Sequence, residues 1–170
     1  MPVVLVTGMS GTGKSSALAE LARRGHRVVD TDDGGWIVEE PSADRRPSEP
    51  LWREDRIDAL LAAHGDGALF ISGTVANQGR FYGRFDAIVL LSAPAEVILE
   101  RVAQRGTNDY GKSDEERRFI LEDITWVEPL LRVGATDEID TRAPVSDVAD
   151  ALERIAETVR SHGAPSTPGL

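Results

Sequence analysis

The sequence predicts an α/β fold in which one parallel sheet is covered by helices on both faces. Three observations predict it. Short apolar runs at 3–7, 26–30, 68–72 and 86–91 alternate with helix-period segments at 14–24, 51–65 and 95–105, the order expected of strands joined by right-handed crossovers. The first run, "VVLVT", is continuously apolar or β-branched, as in a strand buried on both faces. A glycine-rich turn, "GMSGTGKS", then joins that run to the first helix, which aims a helix N-terminus at whatever the turn encloses.

Taken in order, residues 3–7 form the central strand. Residues 14–24 form a helix on which Leu18, Leu21 and Ala22 share a face and which Gly25 stops. "HRVVD" (26–30) is the second strand and ends in "DTDD". Residues 33–50 hold two glycines and three prolines without periodicity, and read as an irregular excursion inside the domain. A helix follows over 51–65, with Ile57, Leu60 and Leu61 as its apolar stripe, then strands at 68–72 and 86–91 and a helix over 95–105. Gly106 and Gly111 bracket a short polar loop. Ser113 and Glu116 match a capping box that opens a helix carrying Ile120, Leu121, Ile124, Val127 and Leu131 on one side; Pro129 kinks that helix or ends it early. "DEIDT" (137–141) suits only an edge strand. A last helix spans about Ser146 to Arg160, and 163–170 reads as a disordered tail. The expected organisation is one domain over 1–162.

With 170 residues the chain has enough length for a sizeable core. It has no cysteine, three scattered histidines and a formal net charge of -10. Disulfides and thiolate metal sites are excluded, and a general affinity for nucleic acid or anionic membrane is disfavoured. No apolar run reaches the roughly 18 residues of a membrane span, and "MPVVLVTG" has no cationic leader. These features predict a cytoplasmic monomer or homodimer with no nucleic-acid or membrane partner. Seventeen arginines accompany only two lysines, Lys14 and Lys112, which singles out Lys14.

Gly8, Gly13, Lys14 and Ser15 fit the spacing Gly-x-x-x-x-Gly-Lys-Ser/Thr. Without side chains at Gly8, Gly11 and Gly13, the loop amides can turn inward around phosphate oxygens. Ser10, Thr12 and Ser16 lie within or beside the same cradle. Lys14 can reach the terminal phosphates of ATP, and the Ser15 hydroxyl can join a Mg2+ shell. Asp32 and Asp33 follow the second strand, on the rim where ligands bind such sheets.

Here the sequence resembles the small P-loop kinases, the group of shikimate kinase, gluconate kinase and the nucleoside monophosphate kinases. "GMSGTGKS" resembles the gluconate kinase loop. Asp30-Thr31-Asp32 resembles the Asp-x-Asp of shikimate kinase, which makes Asp32 the carboxylate at the acceptor hydroxyl and the metal. "LERVAQRGTNDYGK" is similar to the helix and lid of the group, with Arg101 stacked on adenine, Arg105 reaching the phosphates and a short lid over 105–113. "IDTRAPVSDV" resembles the segment lining the adenine pocket, around Arg142 to Pro144. The resemblance implies strand order 2-3-1-4-5 in a three-layer α/β/α sandwich. It also implies an ATP- and Mg2+-dependent kinase with Lys14, Asp32 and Arg105 as catalytic groups.

The excursion over 33–50 is the expected acceptor side, with Asp32, Asp33, Trp36, Arg53, Gly73 and Arg80 as substrate-binding candidates. Trp52 is a further wall candidate. A carboxylate such as Asp32 suits a hydroxyl acceptor, because it can orient or accept the hydroxyl proton. Arg53, Arg56, Arg80 and Arg84 would suit an anionic one. "ALFISGT" ends without the acidic residue that many P-loop proteins direct at magnesium, so metal support is expected from Asp32. "SGTVANQGR" also lacks the Asp-Gly-x-Pro-Arg stretch of the nucleoside monophosphate kinases, and the triple glycine of shikimate kinase is missing too. A small-molecule kinase with a hydroxyl acceptor is the leading expectation. A nucleoside monophosphate kinase and a nucleotide-dependent switch without an acceptor are the alternatives.

Overall fold

The computed structural model describes residues 1–42, 48–106 and 110–163. β1 (Val3–Thr7) is buried along its whole length. It pairs in parallel with β5 (Leu69–Ser72) and β6 (Ala87–Ser92), opposing Val3 to Leu69 and Val4 to Ala87. β2 (Arg27–Asp30) flanks β5, and β7 (Asp137–Asp140) flanks β6. The five-stranded order is therefore β2-β5-β1-β6-β7. It becomes the expected 2-3-1-4-5 once β3 (Ile37–Pro41) and β4 (Ser48–Trp52) are set aside, because those two form a separate antiparallel pair.

Alternation along β1 divides the core between two layers. Val4 and Val6 face α1 (Lys14–Arg23) and α6 (Val145–Gly163), meeting Leu18, Leu21, Val148 and Leu152. Val3 and Leu5 face the other way, toward Ile57 and Leu60 of α2 (Glu54–Ala62), Trp52, and Phe81 and Phe85 of the 3₁₀ segment Gln78–Arg84 and its cap. α3 (Ala95–Gln104) packs Ile98 and Val102 against Ile120 of α4 (Asp114–Trp126).

The described part of the 33–50 excursion corrects the sequence expectation. It contains a β-hairpin whose register runs from Ile37↔Trp52 to Pro41↔Ser48, while 43–47 lie outside the described residues. Consequently α2 begins at Glu54, because Leu51 and Trp52 belong to β4. Trp52 is no pocket wall. It is 1% exposed, it meets Phe81 and Phe85 edge-on, and its indole N–H donates to Thr31 Oγ1 at 2.9 Å.

Pro129 behaves as its missing N–H requires. α4 ends at Trp126, and α5 (Glu128–Gly134) starts with the proline in its first turn. The capping box is complete at Ser113 and Glu116. α6 runs to Gly163, three residues beyond the expected end, and the rest of the proposed tail, 164–170, lies outside the described residues. Among the described residues no helix is long and apolar enough to cross a membrane.

Candidate active site

The loop between β1 and α1 is shaped by two close approaches. At Gly8 (φ +151°) a Cβ would stand 2.4 Å from the carbonyl oxygen of Leu91; at Gly11 (φ +82°) it would stand 2.8 Å from Val102 Cγ2. Neither position tolerates a side chain, so the loop lies tight on β6 and α3. Met9, 4% exposed, anchors it by packing with Leu90 and Leu131. The hydroxyl of Thr12 donates to Met9 O at 2.7 Å and closes the turn from inside. No side chain caps the first turn of α1, and no acidic residue sits there, so its amides and positive dipole end remain available to an anion.

Lys14 folds over this cradle, with Nζ donating to Gly8 O at 2.8 Å and Met9 O at 3.1 Å. Burial lowers its pKa; the nearby carboxylates of Asp32 and Asp30 oppose that shift, and Arg105 adds to it. Asp32 stands at the mouth of the cleft. Although its surface is exposed, the enclosing walls raise its pKa by desolvation. Lys14 opposes the rise, and Asp30 and Asp33 reinforce it.

Ser10, Gly11, Gly13, Lys14, Ser15, Ser16, Asp32, Arg101 and Arg105 line one cavity of about 360 Å3. A neighbouring cavity of about 220 Å3 shares Gly13, Ser16 and Arg101 and continues to Thr141, Ala143 and Val145. The two cavities adjoin at those three shared residues.

Sequence reading passed over Asp30 in favour of Asp32. The hydroxyl of Ser15 donates to Asp30 Oδ2 at 2.6 Å, while Oδ1 accepts from Ser72 Oγ at 3.1 Å and from the Asp32 amide at 3.2 Å. Ser72, at the end of β5, thus steadies a carboxylate delivered by β2, in a fold whose β5 end has no acid of its own. Nothing in "DTDD" itself marks the first aspartate; the pairing of β2 with β5 sets Asp30 opposite Ser72. Ser15 and Asp30 are in contact, and Asp32 lines the same cavity as Ser15; all three offer oxygen donors, the kind that would suit Mg2+. Among the described residues no cluster of three or more histidine, cysteine or acidic side chains could hold a metal ion.

Other predicted residues fall into place unevenly. Arg105 reaches the loop, with Nη1 3.4 Å from Ser10 Oγ, and its Nη2 donates to Tyr110 O at 2.7 Å. Residues 107–109 of the expected lid lie outside the described residues. Arg101 donates to Thr141 Oγ1 at 2.9 Å, to the Thr141 carbonyl and to Gly11 O at 3.5 Å, so its guanidinium is held by protein groups between the two cavities. Arg142 is exposed and turned onto Asp140, and it is the backbone neighbours Thr141, Ala143 and Val145, rather than Arg142 or Pro144, that line the smaller cavity.

On the acceptor side, Asp33 is exposed and its amide donates to Asp30 O at 3.3 Å. Trp36 lies under the Arg56 guanidinium at 4.3 Å, and Arg56 also donates to the carbonyls of Gly34 and Gly35 at 2.7 and 2.8 Å. Arg53 is exposed, with its amide on Trp36 O at 2.8 Å. Arg80 is engaged by Glu54, and Arg84 by Asp58, both in solvent. Gly73 is buried, and a Cβ there would stand 2.5 Å from Thr31 Oγ1 and 2.9 Å from Trp52. Core packing accounts for that glycine.

A family model of the AAA domain matches residues 4–122, a stretch that contains the loop, both aspartates and Arg105. The chain belongs to the AAA domain family. Over 82 residues, 45% of this chain and 25% of that protein, the chain is 42% identical to an HPr kinase/phosphorylase of Bacillus mycoides (strain KBAB4). The chain thus spans about a quarter of that relative's length.

Among solved structures, it is similar to the shikimate kinase of Acinetobacter baumannii in complex with shikimate (17% identity, TM-score 0.60, 96% of this chain and 95% of that one). It is also similar to a gluconokinase from Sinorhizobium meliloti 1021 (18% identity, TM-score 0.57, 96% and 98%). The fold is that of the small P-loop kinases.

Proposed function

We propose that the chain is an ATP-dependent phosphotransferase whose acceptor is a hydroxyl group of a small polar metabolite. The observation that carries the reading is the meeting of Lys14, Ser15, Asp32 and Arg105 on one cavity of about 360 Å3 at the amino end of α1. In this reading the loop amides and α1 dipole receive the β- and γ-phosphates, and Lys14 leaves the carbonyls of Gly8 and Met9 for the terminal phosphate. Arg105 neutralises charge from the lid side. Magnesium, bound through Ser15 with Asp30 behind it, would supply further charge neutralisation at the phosphates. Asp32 orients the acceptor hydroxyl and takes its proton as the phosphoryl group transfers; its raised pKa makes it a stronger base than an ordinary aspartate.

A hydroxyl acceptor is favoured over a nucleoside monophosphate by the acceptor-side arginines. Arg80 and Arg84 are already paired with Glu54 and Asp58, leaving fewer cations for a second phosphate. The kinase neighbours and the HPr kinase/phosphorylase match support the reaction class without naming the acceptor. The test is ADP release with a panel of polyols, sugar acids and hydroxy acids set against AMP, CMP, UMP and dTMP. Acceptor-dependent release in the first group supports the reading. Release only with the nucleotides makes the chain a nucleoside monophosphate kinase, and acceptor-independent slow hydrolysis makes it a nucleotide switch.

A further inference from the structure

Behind the phosphate loop runs a chain of polar side chains that the proposed chemistry does not use. Thr7 and Gln78 are buried, at 0% and 3% exposure. The main-chain N–H of Val75 donates to Gln78 Oε1 at 3.0 Å, which fixes the orientation of that amide. Its Nε2 then donates to Thr7 Oγ1 at 3.2 Å and to the Tyr82 hydroxyl at 2.8 Å. Thr7 Oγ1 lies 3.2 Å from Thr74 Oγ1, and the Thr74 hydroxyl reaches Gly8 O at 2.6 Å while Gly8 N–H donates back to it at 3.2 Å.

Each hydroxyl carries one proton, so the directions resolve in a single way: Gln78 to Thr7, Thr7 to Thr74, Thr74 to Gly8 O. Thr74 Oγ1 then donates once and accepts twice, and has no capacity left over. A saturated chain of this kind polarises along its length and holds one geometry.

We propose that Thr74 is a positioning residue of the nucleotide cradle. It clamps both main-chain polar groups of Gly8, the first residue of the loop and one with no side chain of its own to hold it. The same Gly8 carbonyl accepts from the Lys14 ammonium at 2.8 Å. Thr74 therefore sets the resting place of Lys14 and the direction of the peptide that enters the loop. Removing its hydroxyl leaves a buried N–H without an acceptor and frees that peptide to rotate.

The inference rests on the loop being a nucleotide cradle, and the experiment separates the two. ADP with magnesium is titrated calorimetrically into the wild type, Thr74→Ser, Thr74→Cys and Thr74→Val, and each protein's melting temperature is recorded. Thr74→Val is isosteric and lacks the hydroxyl; it is expected to bind ADP about tenfold more weakly. Thr74→Ser keeps wild-type affinity, and Thr74→Cys, a poor donor, falls between them. Thr74→Ser is expected to melt close to the wild type, and Thr74→Val several degrees lower because of its unpaired Gly8 N–H. Equal affinity in Thr74→Val and the wild type, or failure of serine to restore what valine loses, overturns the role of Thr74. If Thr74→Val does not fold, the serine and cysteine pair decides, and equal affinity in those two overturns it. A wild type that binds no ADP overturns the cradle itself, and this role with it.

Discussion

Replacing Asp30 with asparagine separates its work on the fold from its work on the ligand. Asp30 Oδ1 already accepts two bonds, from Ser72 and the Asp32 amide, and Oδ2 accepts one from Ser15 at 2.6 Å. An asparagine oxygen fits the first position, which turns its NH2 group toward Ser15. All three contacts survive as neutral bonds, and the repulsion that Asp30 exerts on Asp32 disappears. The cost to folding is therefore no more than about 1 kcal/mol, a shift of about 2–4 °C in melting temperature. The effect on the ligand is larger. The Ser15 oxygen now accepts from the amide and has less to offer a cation, and one negative charge leaves the site. A partner that acts through a ligating group contributes about 10- to 100-fold to metal affinity. Calorimetry of ADP in magnesium and in EDTA should show that the gain on adding magnesium shrinks by that factor in Asp30→Asn, while affinity in EDTA stays near wild type. An undiminished magnesium gain in a folded Asp30→Asn would refute the reasoning.

Asp32→Asn should cut turnover far more than nucleotide affinity, read as kcat against KM for ATP. Because the folded pKa of Asp32 is raised, between 3.8 and that value the native state holds a proton that the unfolded chain lacks. Wild-type stability relative to Asp32→Asn should therefore fall as pH rises through that window. At pH 7 urea melts should find the variant the more stable; the opposite order would contradict the desolvation of Asp32.

Lys14 has the opposite sign. Its folded pKa lies below 10.5, so between the two values the unfolded chain holds the extra proton. Wild-type stability should rise with pH there relative to Lys14→Met, and the variant should lose ATP-dependent transfer while keeping its far-UV circular dichroism. Trp52→Ala removes a side chain 1% exposed together with its bond to Thr31. It should cost about 3–5 kcal/mol in a urea melt. A loss below about 1 kcal/mol would mean that the hairpin root is not part of the core.

The three glycines and lysine of the loop, the alternation of strand and helix, the box at Ser113 and the break at Pro129 were all legible in the sequence. Each is a local matter: backbone freedom at Gly8, one missing N–H at Pro129, and apolar periodicity within a single element. The hairpin was not legible. β3 is exposed at four of its five residues, and both strands contain proline, so neither carries an apolar period, and their pairing depends on Trp52 finding Phe81 and Phe85 across the domain. Nor did sequence distinguish ligand-facing arginines from paired ones. Arg80 lies beside Glu54 and Arg84 beside Asp58 only once α2 and the segment after β5 have docked.

The same holds within "DTDD". Residue type alone marked the stretch as chemical, but which carboxylate meets Ser15 was decided by the register of β2 on β5, which sets Asp30 opposite Ser72. The sequence by itself determined that a phosphate-sized cradle exists and where it lies in the chain, because that follows from spacing along the backbone. Which side chains surround the cradle, and which are already spent on one another, depended on contacts between residues far apart in sequence, and only the packed tertiary structure could decide them.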